Sequence, residues 1–169
     1  ATLKRMQLAM KKGVKAAMHL EKSPDHILEE IHQVVLQQQH EFARIWENIL
    51  GELRKQKIHF INEKQLSKEQ ELFVEKYYDD EVSPNLIPLM IEDIPKMPYL
   101  RDKSIYLGVV MRKKSKSYQQ KYALIEIPAK ALGRFVLLPS KAGEQHIMLL
   151  EDVIRYNLKH IFTYFDFDS

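Results

Sequence analysis

Cysteine is absent from the 169 residues, which excludes disulfides and thiolate metal sites and fits a reducing compartment. Glycine is scarce, at five residues, and no P-loop, G-x-G-x-x-G or G-x-S-x-G pattern occurs. A backbone cradle for phosphate is therefore not encoded. No run approaches the roughly 18 apolar residues of a membrane span, and no signal-peptide pattern is present. The expectation is a cytoplasmic chain with no integral membrane segment, peripheral association with a membrane being left open. Charge of one sign is also lacking. The 26 Lys+Arg and 23 Asp+Glu leave a formal net charge of +3, without the global basic footprint of a nucleic-acid binder. A hydrophobic content of 45% and a charged content of 29% are ordinary for a globular protein.

What is present begins with helices. Leu3, Met6, Leu8, Met10, Val14, Ala17, Met18 and Leu20 recur among lysines at helical spacing, which predicts an amphipathic helix weakened by Gly13. Ser23-Pro24-Asp25 is a helix start: Ser caps, Pro fits the first turn, and Asp complements the dipole. Leu28, Ile31, Val35, Phe42, Ile45 and Ile49 then mark a helix of roughly 33 residues, about 50 Å long. A stripe of that length calls for a helical neighbour. Trp46 reads as a packing anchor rather than a stacking platform. Lys57 to Asn62 reads as a linker with strand character and sets the domain boundary, giving a helical domain over 1–56 and a second domain over 57–169. Ser67 with Gln70 forms a capping box. The helix it opens turns Leu72, Phe73 and Tyr77 inward, with Val74 a further candidate, and stops at Ser83-Pro84. Residues 86–99, rich in proline, read as an extended, irregular crossing. Its adjacent Glu92 and Asp93 point apart in such a segment, so they are not read as a catalytic pair.

The C-terminal half changes period. Ser104 to Met111 is a strand rich in β-branched residues. A long basic tip follows, and then a strand in which Ala123, Ile125 and Ile127 face one way and Tyr122, Leu124 and Glu126 the other. Pro128 stops it. Ala129 to Gly133 is a helical turn closed by glycine. Two short strands, around Arg134–Leu138 and His146–Leu149, flank a loop at 140–144. A final helix opens with Glu151 and Asp152 at its positive end and turns Val153, Ile154, Leu158, Ile161 and Phe162 to one side. The fold class is α+β: a segment of a long-helix bundle, then a small mixed domain with an antiparallel sheet and packed helices.

Chemistry is thinly encoded. Of seven histidines, His26, His32 and His40 are spaced by six and eight residues, so they miss the i, i+4 spacing of a helical metal site. H-E-x-x-H does not occur. No catalytic and no metal-ligating residue is assigned. Two basic stretches are candidates for contacts to a polyanion: Lys4, Arg5, Lys11 and Lys12 on the first helix, and Arg112, Lys113, Lys114 and Lys116 at the hairpin tip. Counterion release from a phosphate chain would drive such binding. The competing reading is a solvated helix face and a lysine-protected sheet edge. RNA binding through the tip lacks the expected aromatic residues, since Tyr118 is the only ring there.

An ordered set of segments carries a resemblance: Asn62-Glu-Lys-Gln-Leu-Ser67, Ile87-Pro88-Leu89, Tyr122-Ala-Leu-Ile-Glu-Ile-Pro128, Arg134-Phe-Val136 and Leu149-Leu-Glu-Asp-Val-Ile-Arg-Tyr156. In order and spacing they resemble the long bacterial polyphosphate kinases. The resemblance implies a large parent enzyme that reversibly moves the terminal phosphate of ATP to inorganic polyphosphate. It implies a phosphohistidine intermediate and magnesium. It implies further that this chain is part of the helical N-terminal domain joined to most of the head domain, and that the reactive histidine belongs to domains outside it. The opening at Ala1 without an initiator methionine and the aromatic close at Phe162–Ser169 are read, for their part, as cuts through a longer protein, the alternative being simple trimming of tails. ATP and magnesium are thus expected in the parent and not on this piece. The implied partners are polyphosphate, ATP or ADP, and a second copy in a homo-oligomer; nucleic acid is not among them. The piece alone is expected to be inactive and supportive, in dimer formation and around a polyphosphate tunnel. The alternative is a free-standing interaction module for a polyanion or a protein.

Overall fold

The computed structural model describes residues 23–91, 99–112 and 120–162. The chain divides into two compact units, Ala1–Glu52 and Leu53–Ser169. The first is dominated by α1, Pro24–Lys55, 32 residues long. Ser23 caps it as expected, its Oγ accepting from the His26 amide at 3.3 Å. Asp25 lies in the first turn, and Arg54 and Lys55 in the last, matching the helix dipole. The apolar stripe is there, but Ile31, Val34, Val35, Phe42, Ile45 and Ile49 are exposed, Phe42 to 70%. Trp46 is half-buried. Residues 1–22, read as an amphipathic helix, lie outside the described residues.

The second unit carries two sheets where one was expected. Residues read as a linker with strand character form β1, Ile58–Phe60. It runs parallel to β6, Gln145–Leu149, with His59 opposite His146. The pairing extends at both ends, through Gln145 N–H donating to the Lys57 carbonyl (2.9 Å) and Ile61 N–H to that of Ile147 (2.8 Å). On its other side β6 pairs antiparallel with β5, Phe135–Leu138. This sheet has the order β1–β6–β5 and is mixed.

The capping box is present: Ser67 and Gln70 exchange side-chain and backbone bonds at the start of α2, Lys68–Tyr77. Gln70, Val74, Tyr78 and Val82 are buried, a spacing of four that defines one face. Leu72 lies on the opposite face and is 69% exposed, so the inward placement read from the sequence is wrong. Nor does the helical run stop at Ser83. It loosens into a π-type turn at Tyr78–Val82 and tightens into a 3₁₀ turn at Ser83–Asn85. Pro84 is tolerated there because a first-turn residue needs no amide hydrogen.

The segment read as an irregular crossing contains β2, Pro88–Met90. Its proline is the first strand residue, where a missing donor does least harm. β2 pairs antiparallel with β4, Gln120–Glu126, and so does β3, Tyr106–Arg112, giving the order β2–β4–β3. The alternation of β4 is as read: Ala123, Ile125 and Ile127 are at most 4% exposed. Ser104, expected in β3, instead donates its hydroxyl to Glu126 Oε1 at 2.8 Å. Glu92 and Asp93 lie outside the described residues, as does the aromatic end after Phe162.

α3, Ala129–Leu132, ends at Gly133 with φ 78°, a conformation that favours glycine. The final helix is two: α4, Leu150–Tyr156, and α5, Leu158–Ile161. The break falls at Asn157, which is buried and donates its amide to the Val153 carbonyl at 2.9 Å. Side-chain bonding to the backbone competes with the helix there. Within the second unit one core joins both sheets, α2 and α4: Val74, Val82, Met111, Ile125, Met148, Leu150, Val153, Ile154 and Phe162 are all under 2% exposed.

Candidate functional site

The residues singled out from the sequence are not brought together in the described structure. Lys4, Arg5, Lys11 and Lys12 lie outside it, and so do Lys113, Lys114 and Lys116. Arg112 ends β3 opposite Gln120 in the register, so the backbone of the hairpin base is fixed. The Arg112 side chain is outside the description.

The acids at the start of α4 have structural partners. Glu151 and Asp152 are each 8% exposed. Arg134 grips Glu151 with Nη2 at 2.5 Å and Nε at 3.1 Å, a fork geometry suited to carboxylate. Arg155 pairs with Asp152 and reaches Glu63 at 3.3 Å. Burial pushes the Asp152 carboxyl up, against the lowering effect of Arg155. These groups are paired within the fold, which leaves them poorly placed to act on a substrate.

Two features were missed from the sequence because each needs residues distant in the chain. The first is an open cleft of about 550 Å³ over the second sheet. Ile105 and Leu124 line it, with Tyr99 and Tyr106 alongside and Arg101, Lys103 and Lys130 among its cations. Ile87, Leu89, Tyr99 and Leu100 at its margin are exposed. Lys103 has φ 61°, an uncommon left-handed conformation for a residue with a Cβ. Such a lining suits anionic or aromatic groups, but it offers no pair of groups placed for proton transfer.

The second is a cluster of His59, Glu144 and His146, whose ligand atoms all lie within 4.8 Å of one another. His146 Nε2 is 3.5 Å from Glu144 Oε2. The two imidazoles meet edge to face with centroids 5.4 Å apart. Gln70 Nε2 sits 2.7 Å from His146 Nδ1.

Together these describe a class: an α+β module whose buried charges hold the fold and whose described surface carries no catalytic constellation. The sequence model of the polyphosphate kinase middle domain matches residues 69–169. A polyphosphate kinase of Vibrio parahaemolyticus is 35% identical over 147 residues, covering 85% of this chain and 21% of that protein. One from Vibrio cholerae is 36% identical over 148 residues with the same coverage, and one from Halalkalibacterium halodurans 33% over 136. The crystal structure of polyphosphate kinase from Porphyromonas gingivalis matches the fold with a TM-score of 0.77 at 23% identity, over 99% of this chain and 24% of that one. The chain belongs to the polyphosphate kinase family, and residues 69–169 are the part that matches its middle domain. It spans about a fifth of the length of the relatives named here.

The resemblance implied magnesium and ATP for the parent. Magnesium takes oxygen ligands in near-octahedral geometry. Glu151 and Asp152 are committed to arginines, and the His59–Glu144–His146 grouping is mostly nitrogen. Neither of these two groupings suits a magnesium–nucleotide site.

Among the described residues, no helix is long and apolar enough to cross a membrane.

Proposed function

We propose that this chain is a supporting piece of a polyphosphate kinase that reversibly transfers the terminal phosphate of ATP to inorganic polyphosphate. The match of residues 69–169 to the middle domain, in a chain that spans about a fifth of its relatives, carries this reading. In it, residues 1–56 are part of the helical N-terminal domain and 57–169 part of the head domain. The phosphohistidine, the ATP and the magnesium belong to other domains of the parent, a cytoplasmic homo-oligomer. This piece contributes dimer formation and support of the polyphosphate path. The commitment of Arg134, Glu151, Asp152 and Arg155 to ion pairs agrees with a scaffold role. Lys4, Arg5, Lys11, Lys12, Arg112, Lys113, Lys114 and Lys116 are the proposed polyphosphate contacts, on charge alone.

The test uses the parent enzyme with Arg112, Lys113, Lys114 and Lys116 changed to glutamine. Polyphosphate affinity should fall, and its dependence on salt should flatten, because fewer counterions are released. An unchanged affinity and salt slope would remove the hairpin tip from the polyphosphate path.

A further inference from the structure

The geometry points to a divalent transition-metal site formed by His59, Glu144 and His146. Its assembly follows from strand geometry. Residues two apart on a strand share a face, so Glu144, just before β6, and His146 within it project together. The parallel register then sets His59 of β1 beside His146. Two imidazoles and a carboxylate are a donor set that suits zinc and its neighbours better than magnesium or calcium. The spacing is close to what such an ion needs. Bonds of roughly 2.0–2.1 Å in a tetrahedral arrangement put ligand atoms about 3.3–3.5 Å apart. His146 Nε2 and Glu144 Oε2 are already at 3.5 Å. The outer limit of 4.8 Å for the set leaves little over 1 Å for side-chain rotation to close.

Gln70 controls the affinity of this site. Its Oε1 accepts from the Ser67 amide at 3.1 Å, and its Nε2 donates to the Pro139 carbonyl at 2.8 Å. Those two bonds fix the amide so that nitrogen faces His146 Nδ1. Nδ1 is therefore the acceptor, and the proton of the neutral ring is on Nε2, toward Glu144; this tautomer is assigned from the hydrogen-bond partners. A metal at Nε2 displaces that proton to Nδ1, with no net release. There it meets an N–H group instead of the oxygen that usually receives it from a metal-bound imidazole. Binding therefore requires Gln70 to turn its amide over and give up its bonds to Ser67 and Pro139. A glutamate at 70 would remove the conflict at His146, since one oxygen can accept the Nδ1 proton while the other serves the Ser67 amide, although it gives up the donor to the Pro139 carbonyl.

The test is titration of the 169-residue chain with zinc by calorimetry, and with cobalt(II) by visible absorption. One zinc per chain should bind in the micromolar range, with cobalt giving the intense bands of a low-coordinate site. The His59→Ala, His146→Ala double variant should lose this one-to-one phase. Gln70→Glu should bind zinc about 10- to 100-fold more tightly, the usual size of an outer-shell effect. A gain in affinity that keeps the one-to-one stoichiometry, the cobalt spectrum and the unfolding transition of the parent chain is not a product of misfolding, so Gln70→Glu decides the matter even if the double variant folds poorly. Absence of a one-to-one phase at millimolar zinc, its survival in a folded double variant, or no tightening in Gln70→Glu would each overturn the site.

Discussion

Replacing Gln70 by alanine should destabilise the second unit more than any other single change to a polar side chain near α2. Gln70 is only 4% exposed, and it ties three segments together. It accepts from the Ser67 amide, donates to the Pro139 carbonyl, and meets His146 on β6. Loss of its half of the capping box costs about 0.5–1 kcal/mol. Loss of the donor to the Pro139 carbonyl adds about 1–3 kcal/mol, because a partly buried acceptor is left without its partner. The sum is roughly 1.5–4 kcal/mol. Ser67→Ala is the internal comparison. It removes one long bond, 3.4 Å from the Gln70 amide to the Ser67 hydroxyl, and should cost about 1 kcal/mol or less. Urea unfolding can separate the units, because all eight tyrosines fall in the second and Trp46 lies in the first. The tyrosine-reported midpoint should drop by roughly 1–2 M urea in Gln70→Ala, given typical slopes, while the tryptophan signal stays put. A Gln70→Ala cost within about 0.5 kcal/mol of zero, or no larger than that of Ser67→Ala, would refute the reasoning.

Three further outcomes are expected. Ile125→Ala opens a cavity at a position with 0% exposure and should cost about 2–5 kcal/mol by the same unfolding assay, whereas Leu124→Ala on the other face should cost clearly less. Lys57, two residues past the end of α1, has φ 60°, so Lys57→Gly should stabilise by about 0.5–1 kcal/mol in thermal unfolding; destabilisation would show that the lysine side chain holds something in place. Burial raises Asp152 above its ordinary value of 3.8. A raised folded-state value means that this group's stabilising contribution is full below the unfolded value and is lost as pH rises through the folded one. Wild-type stability measured against Asp152→Asn should therefore fall as pH rises through that window, and a relative stability that rises with pH would reverse the sign.

Much of this fold was written locally. Ser23-Pro24-Asp25 marks the start of α1, the Ser67–Gln70 pair marks α2, and the alternation Ala123, Ile125, Ile127 gives the buried face of β4. Each signal sits within a few residues, where capping and side-chain periodicity act. The features that escaped depend on distant partners. The strand character of Ile58–Phe60 is legible, but nothing near it shows that these three residues will pair with Gln145–Ile147, so the segment reads as a linker instead of part of a sheet. Leu72 is misplaced because apolarity alone does not fix a helix's rotation; the positions Gln70, Val74 and Tyr78 do, and one of them is polar. Asn157 breaks the last helix through a side-chain bond that no hydropathy pattern reports. The histidine cluster was hidden for the same reason as β1, since His59 and His146 become neighbours only through the sheet. The basic candidates of the sequence lie outside the described residues, apart from the backbone of Arg112.

The central claim is that this chain supports chemistry performed elsewhere in a polyphosphate kinase. Purified and incubated with magnesium, labelled ATP and a short polyphosphate, it should neither lengthen the polymer nor take label onto a histidine. Acid-labile label on any of its seven histidines, or a longer polymer, would contradict the claim directly.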